Sequence, residues 1–215
     1  MEKPFYFFSY SGLIRVLGVT ACTPAELLDG IKKVPASSIY YHTHKFLQQH
    51  HYLSPEPPND FAYWLNNIIK IKELGEAFAS VNIVNFRDLE ELRSEFIRIL
   101  QKFLHDSKYT IANHDNARFY FMSCVSFIFQ TPYAAHDLRE FTEILEKISI
   151  NSLYFHVFEA RLRHGKNDND FSLWLKDRGD NRAAEKISAL DPYTITLDHL
   201  RKRIVEIVHK YGSYK

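Results

Sequence analysis

The sequence predicts a mainly α fold, α+β at most, built from two tandem pseudo-two-fold-related helical repeats, each of four to five helices and one short strand. Three observations carry this. Sliding the chain by 114 residues lays Pro4–His50 on Arg118–His164 with twelve identities and no gap. Two motif pairs recur, Ser38-Ile39-Tyr40-Tyr41-His42 with Ser152-Leu153-Tyr154-Phe155-His156, and Asn59-Asp60-Phe61 with Asn169-Asp170-Phe171, each of the latter running on to a Trp-Leu. Matching helix-start signals precede them in both copies. The repeats are expected at 1–108 and 115–215, packed as one globule, with the polar stretch between 105 and 116 as the seam. A period this long, present twice, does not suit a solenoid array.

Each unit opens on alternating rings, Phe5 and Phe7 in the first and Phe119, Phe121, Ser123, Val125, Phe127 and Phe129 in the second, which is the period of a strand. A helix follows. Thr23-Pro24-Ala25-Glu26 is a capping box with proline at the first helical position, and Asp137-Leu138-Arg139-Glu140 repeats the device. The Ser-x-Tyr-x-His element reads as the next helix, and the prolines 55, 57 and 58 cannot continue it. Asn59 and Asn169 then cap helices holding Trp64 and Trp174. A short helix (Leu74–Val81, Ala183–Leu190) leads to a last amphipathic one, whose apolar stripe is Leu89, Leu92, Phe96, Ile99, Leu100 and Phe103. At an offset of 108 residues, Leu92, Phe96, Ile99 and Leu100 fall on Leu200, Ile204, Ile207 and Val208.

Composition narrows the function classes. Lys plus Arg number 27 against 26 Asp plus Glu, so nothing draws the chain toward nucleic acid or an anionic membrane, and neither is expected as a partner. No apolar run is long enough to span a bilayer. Two cysteines, Cys22 and Cys124, make no disulfide framework, and a reducing cytoplasm is the expected setting. No P-loop, dinucleotide fingerprint, nucleophile elbow or His-Glu-x-x-His motif occurs, and no cofactor is expected.

The candidate catalytic residues are His42, Asp60, His156 and Asp170, because a His–Asp contact fixes an imidazole tautomer and tunes its basicity. The competing reading is that each imidazole ties one helix to the capped start of the next. Ligand-binding candidates are His44, His50 and His51, together with Arg161 and Arg163, whose forked guanidiniums suit phosphate or carboxylate. The histidine spacings along one helix do not match the three or four residues that chelation needs, so no metal site is expected. Trp64, Trp174, Tyr40 and Tyr154 are expected in the core.

The strings Ser38 to His50, Leu53-Ser54-Pro55-Glu56-Pro57-Pro58-Asn59-Asp60-Phe61, Phe158-Glu159-Ala160-Arg161-Leu162-Arg163 and Leu190-Asp191-Pro192-Tyr193 resemble the DUF5752 family, an uncharacterised bacterial family. The resemblance covers nearly the whole chain and transfers no catalytic residue; association of some members with glycosyltransferase-like proteins implies a link to carbohydrate metabolism. The expected function is a non-catalytic cytoplasmic interaction or regulatory module with a protein partner. The alternative is an enzyme or a binder of a small anionic or carbohydrate-related ligand, using a central pocket of His42, His44, His50, Asp60, His156 and Arg161.

Overall fold

A computed structural model describes residues 3–46, 58–106, 117–164, 168–190 and 195–213. The architecture is mainly helical with one two-stranded antiparallel sheet. Strand β1 spans Phe5–Ala21 and β2 spans Phe119–Ala135. After β1 come α1 (Pro24–Lys33), α2 (Ala36–Tyr40), which continues as a π-helical turn (Tyr41–Lys45), α3 (Asp60–Tyr63) with its own π-helical continuation (Trp64–Ile68), α4 (Lys72–Ala79) and α5 (Leu89–Asp106). After β2 come α6 (Leu138–Lys147), α7 (Ile150–Tyr154) with a π-helical turn (Phe155–Glu159), α8 (Ala160–His164), α9 (Asp170–Asp177), α10 (Asn181–Ser188) and α11 (Leu197–Tyr211).

The strands are 17 residues each, which corrects the expectation of a short one. The alternating pattern marks only the start of β1, up to Ser9, and runs in β2 as far as Phe129; the rest of β1 is held by residues that alternation alone does not flag, such as Ile14 and Val16. The helix starts follow the predicted chemistry. Thr23 Oγ1 accepts from the Glu26 amide at 3.2 Å, and Asp137 Oδ1 accepts from the Glu140 amide at 2.8 Å. In both cases the glutamate carboxylate reaches one residue further back than a standard box, to the amides of Cys22 and His136. Asn59 and Asn169 cap α3 and α9 by accepting from the amides of Ala62 and Ser172.

Two compact units result, one made of 12–125 and the other of 1–11 with 126–215. The first residues of each strand therefore belong with the helices of the other half of the sequence. In the second unit Phe5 and Phe7 pack among Phe141, Phe171 and Trp174; in the first, Phe119 and Phe121 pack among Phe61, Trp64 and His42. The tryptophans fasten these strand starts: Trp64 Nε1 donates to the carbonyl of Ala117 at 2.6 Å, and Trp174 Nε1 donates to that of Lys3 at 3.0 Å. Gly30 leaves room for the inserted ring, since a Cβ there would stand 2.2 Å from Phe121.

The helix after the Asn cap differs between halves. Around Leu65 the backbone takes one π-helical turn, whereas α9 is regular throughout. The extra residue accounts for one step of the drift in the sequence offset, because a π turn absorbs a single insertion without unwinding the helix. The turn that follows needs a left-handed residue. The second half supplies Gly179 at φ 85°, while the first places Lys70 at φ 60°, at a cost of about 1 kcal/mol.

Candidate functional site

Helices α2 and α7, each with its π-helical continuation, turn a serine (Ser38 or Ser152) and the histidine four residues on toward one side. In the second unit that side meets the edge of β1. Ser152 Oγ donates to the Phe8 carbonyl at 2.6 Å, and the Phe8 amide donates to His156 Nε2 at 2.8 Å. One strand residue thus has both backbone groups met by side chains, as a neighbouring strand would meet them. His156 Nδ1 lies 2.8 Å from Asp170 Oδ2, at the first turn of α9.

The first unit builds the same constellation. The Met122 amide donates to His42 Nε2 at 2.9 Å, and His42 Nδ1 lies 2.6 Å from Asp60 Oδ2. Because Nε2 accepts from an amide in each case, the ring proton sits on Nδ1 and is donated to the carboxylate. His42 and His156 are 1% and 2% exposed, and Asp60 and Asp170 are 30% and 19%, so the imidazoles are sealed and only the carboxylates see solvent. Both histidines lie in the π-helical turns, which widen the helix where the ring must reach the strand.

The two constellations are not identical. Arg163 donates to Asp170 Oδ2 at 2.6 Å and stands 4.1 Å over the Phe155 ring. Burial pulls the His156 pKa below its ordinary value; the hydrogen bond to Asp170 and its negative charge oppose this, and the Arg163 cation adds to the lowering. In the first unit Ser38 Oγ is buried and has no hydrogen-bond partner among the described residues, in contrast to Ser152.

The remaining candidates are dispersed. His44 is 2% exposed, pairs through Nδ1 with Thr43 Oγ1 at 3.0 Å, and stacks on Tyr40 with 5.8 Å between ring centroids. Phe158 occupies the aligned position and stacks on Tyr154 at 4.5 Å, so the imidazole takes the place of a phenyl ring. Its burial lowers the His44 pKa to about 4. Arg161 donates to the carbonyls of Ser188 and Leu190 at 3.3 and 2.8 Å, at the C-terminal end of α10, where a cation suits the helix dipole. His50 and His51 lie outside the described residues, as does most of the proline-rich loop. A cavity of about 580 Å³ in the first unit lies between α4 and α5, lined by residues such as Leu74, Phe86, Arg98 and Phe103, and none of the candidate residues lines it.

Sequence reasoning missed the strand edge as the histidines' target, because the partners Phe8 and Met122 are recognised through their backbone. It also passed over a pair of arginines with matching contacts. Arg93 donates to the carbonyls of Ile31 and Val34 at the end of α1, and Arg201 to those of Leu145 and Glu146 at the end of α6. The offset of 108 that aligned the last helices superposes these two residues as well. No helix among the described residues is long and apolar enough to cross a membrane.

Comparison with known proteins agrees with the fold. The structure of OrfY from Thermoproteus tenax is similar over 98% of this chain and 96% of that one, with a TM-score of 0.81 and 24% sequence identity. No curated protein matches. The model of a family of unknown function, DUF5752, matches residues 2–209, and the chain belongs to that family.

Proposed function

We propose that the chain is a non-catalytic, cytoplasmic interaction module: a fused pseudo-two-fold duplication in which each half fastens the strand start of the other, and whose work is to bind a protein partner. One observation carries the reading. Both ring nitrogens of His42 and of His156 are engaged, Nε2 by a strand amide and Nδ1 by a carboxylate, and both rings are buried. A general base needs a free lone pair within reach of substrate, and neither imidazole offers one. The duplication supports the same conclusion, since a contact present in both halves at the same place in the fold is what assembly of each half requires.

Partner binding is supported by the apolar residues that the strands leave in water, among them Phe127, Ile128 and Phe129. Substitution of the two histidines is the test. His42→Ala and His156→Ala should each lower the melting temperature, while below that temperature the partner captured by crosslinking in the native host stays the same. Loss of capture, or of a catalysed turnover, in a variant that keeps wild-type stability would contradict the proposal.

A further inference from the structure

β2 carries no charged residue in its 17 positions, and its stretch Ser126-Phe127-Ile128-Phe129-Gln130 reads nearly the same in both directions about Ile128. This stretch lies within the second unit. Phe127, Ile128 and Phe129 are 57%, 53% and 51% exposed, so side chains on both alternating faces of the strand stand in water. The sheet has two strands, so among the described residues β2 has one ladder edge with no partner strand. The side chains that close a strand edge elsewhere are His156 and Ser152 at Phe8 and His42 at Met122, and none of these contacts lies in this stretch. Natural proteins protect long apolar edges with charges, prolines or cover. Here the first proline is Pro132, beyond the palindromic stretch.

We propose that this edge pairs with the same edge of a second copy of the chain, antiparallel and about a two-fold axis at Ile128. The proposal rests on the preceding reading of the chain as a protein-binding module and names its partner. In that register Phe127 of one copy faces Phe129 of the other, twice, on one side of the joined sheet. Ile128 meets Ile128, and Ser126 meets Gln130, on the opposite side. Cross-strand aromatic pairs are among the stabilising pairs of antiparallel sheets. An isologous pairing requires a self-complementary surface, and a charge near the axis would face its own like; this strand has none. A different protein would be selected by charge or a shaped pocket, and the uncharged stretch supplies no such code.

Light scattering on the size-exclusion-purified full chain tests the pairing. Wild type should show twice the 25.3 kDa chain mass. F127E/F129E should be monomeric, with an unchanged circular dichroism spectrum and melting temperature. F127K/F129E puts opposite charges face to face across the axis and should restore a dimer that dissociates as salt rises. Under oxidising conditions Ile128→Cys should crosslink two copies, because facing residues at the axis lie about 4.5–5.5 Å apart between Cα atoms, whereas Phe127→Cys should not. A wild type that is monomeric up to its solubility limit, or a dimer that survives F127E/F129E, overturns the pairing. If that wild type still captures another protein, the self-pairing alone falls and the module reading stands.

Discussion

The two histidine constellations use the same two contacts on different surroundings, and the comparison separates what the fold needs from what it tolerates. Helix, strand amide and carboxylate are common to both. Among the described residues, an arginine placed like Arg163, with its contacts to Asp170 and Phe155, occurs in the second unit alone, and so does a serine-to-carbonyl bond like that from Ser152. The common part therefore suffices to seat a foreign strand start against its helices. What differs tunes the electrostatics of the histidine and the closure of the strand edge.

The strongest way to break the comparison is to remove the common part. His42→Ala or His156→Ala leaves an amide of Met122 or Phe8 without its acceptor, an aspartate without its donor, and a cavity. Each loss costs about 1–3 kcal/mol, and we expect about 4 kcal/mol in total for either variant, a fall in melting temperature of about 10 °C. Nearly equal falls support one shared role. A large fall for one and none for the other would separate them.

The next effect is pH-dependent and tests whether His44 stands in for Phe158. The folded His44 pKa is about 4 against 6.5 for the free side chain. The unfolded chain binds the extra proton between these values, so stability falls as pH falls through that window. The loss amounts to about 3 kcal/mol by pH 4. The lowered pKa of His156 acts in the same direction. His44→Phe, copying the other half, should flatten the slope of urea-unfolding free energy between pH 6.5 and pH 4; an unchanged slope would contradict the assignment.

A smaller effect sharpens the difference between the serines. Ser152→Ala removes a bond to the Phe8 carbonyl and should cost about 1–2 kcal/mol. Ser38→Ala removes a hydroxyl that has no partner among the described residues, and its unfolding midpoint should stay within error of wild type or rise. Equal costs would show that Ser38 finds a partner in solution.

Much of this was legible in the sequence where a pattern of side chains repeats. The helix caps at Thr23, Asp137, Asn59 and Asn169 and the burial of both tryptophans follow from residue type and spacing. The His–Asp contacts followed too, because each pair recurs between motifs that moved together. Three features were not legible. Strand length beyond the alternating rings depends on pairing with a distant segment. The π-helical turns at His42 and His156 have no residue signature, since they answer a geometric demand of the neighbouring strand. The exchange of strand starts leaves no local mark, because a strand start that packs on the other half's helices carries the same rings as one that packs on its own.

The central claim is that His42 and His156 are fasteners whose ring nitrogens are already engaged. Long-range ¹H–¹⁵N correlation spectra of the histidine rings at neutral pH test it most directly. Both imidazoles should carry their proton on Nδ1, with Nε2 bare and accepting from the amides of Met122 and Phe8. A proton on Nε2 of either ring, or rapid exchange between tautomers, would contradict the account.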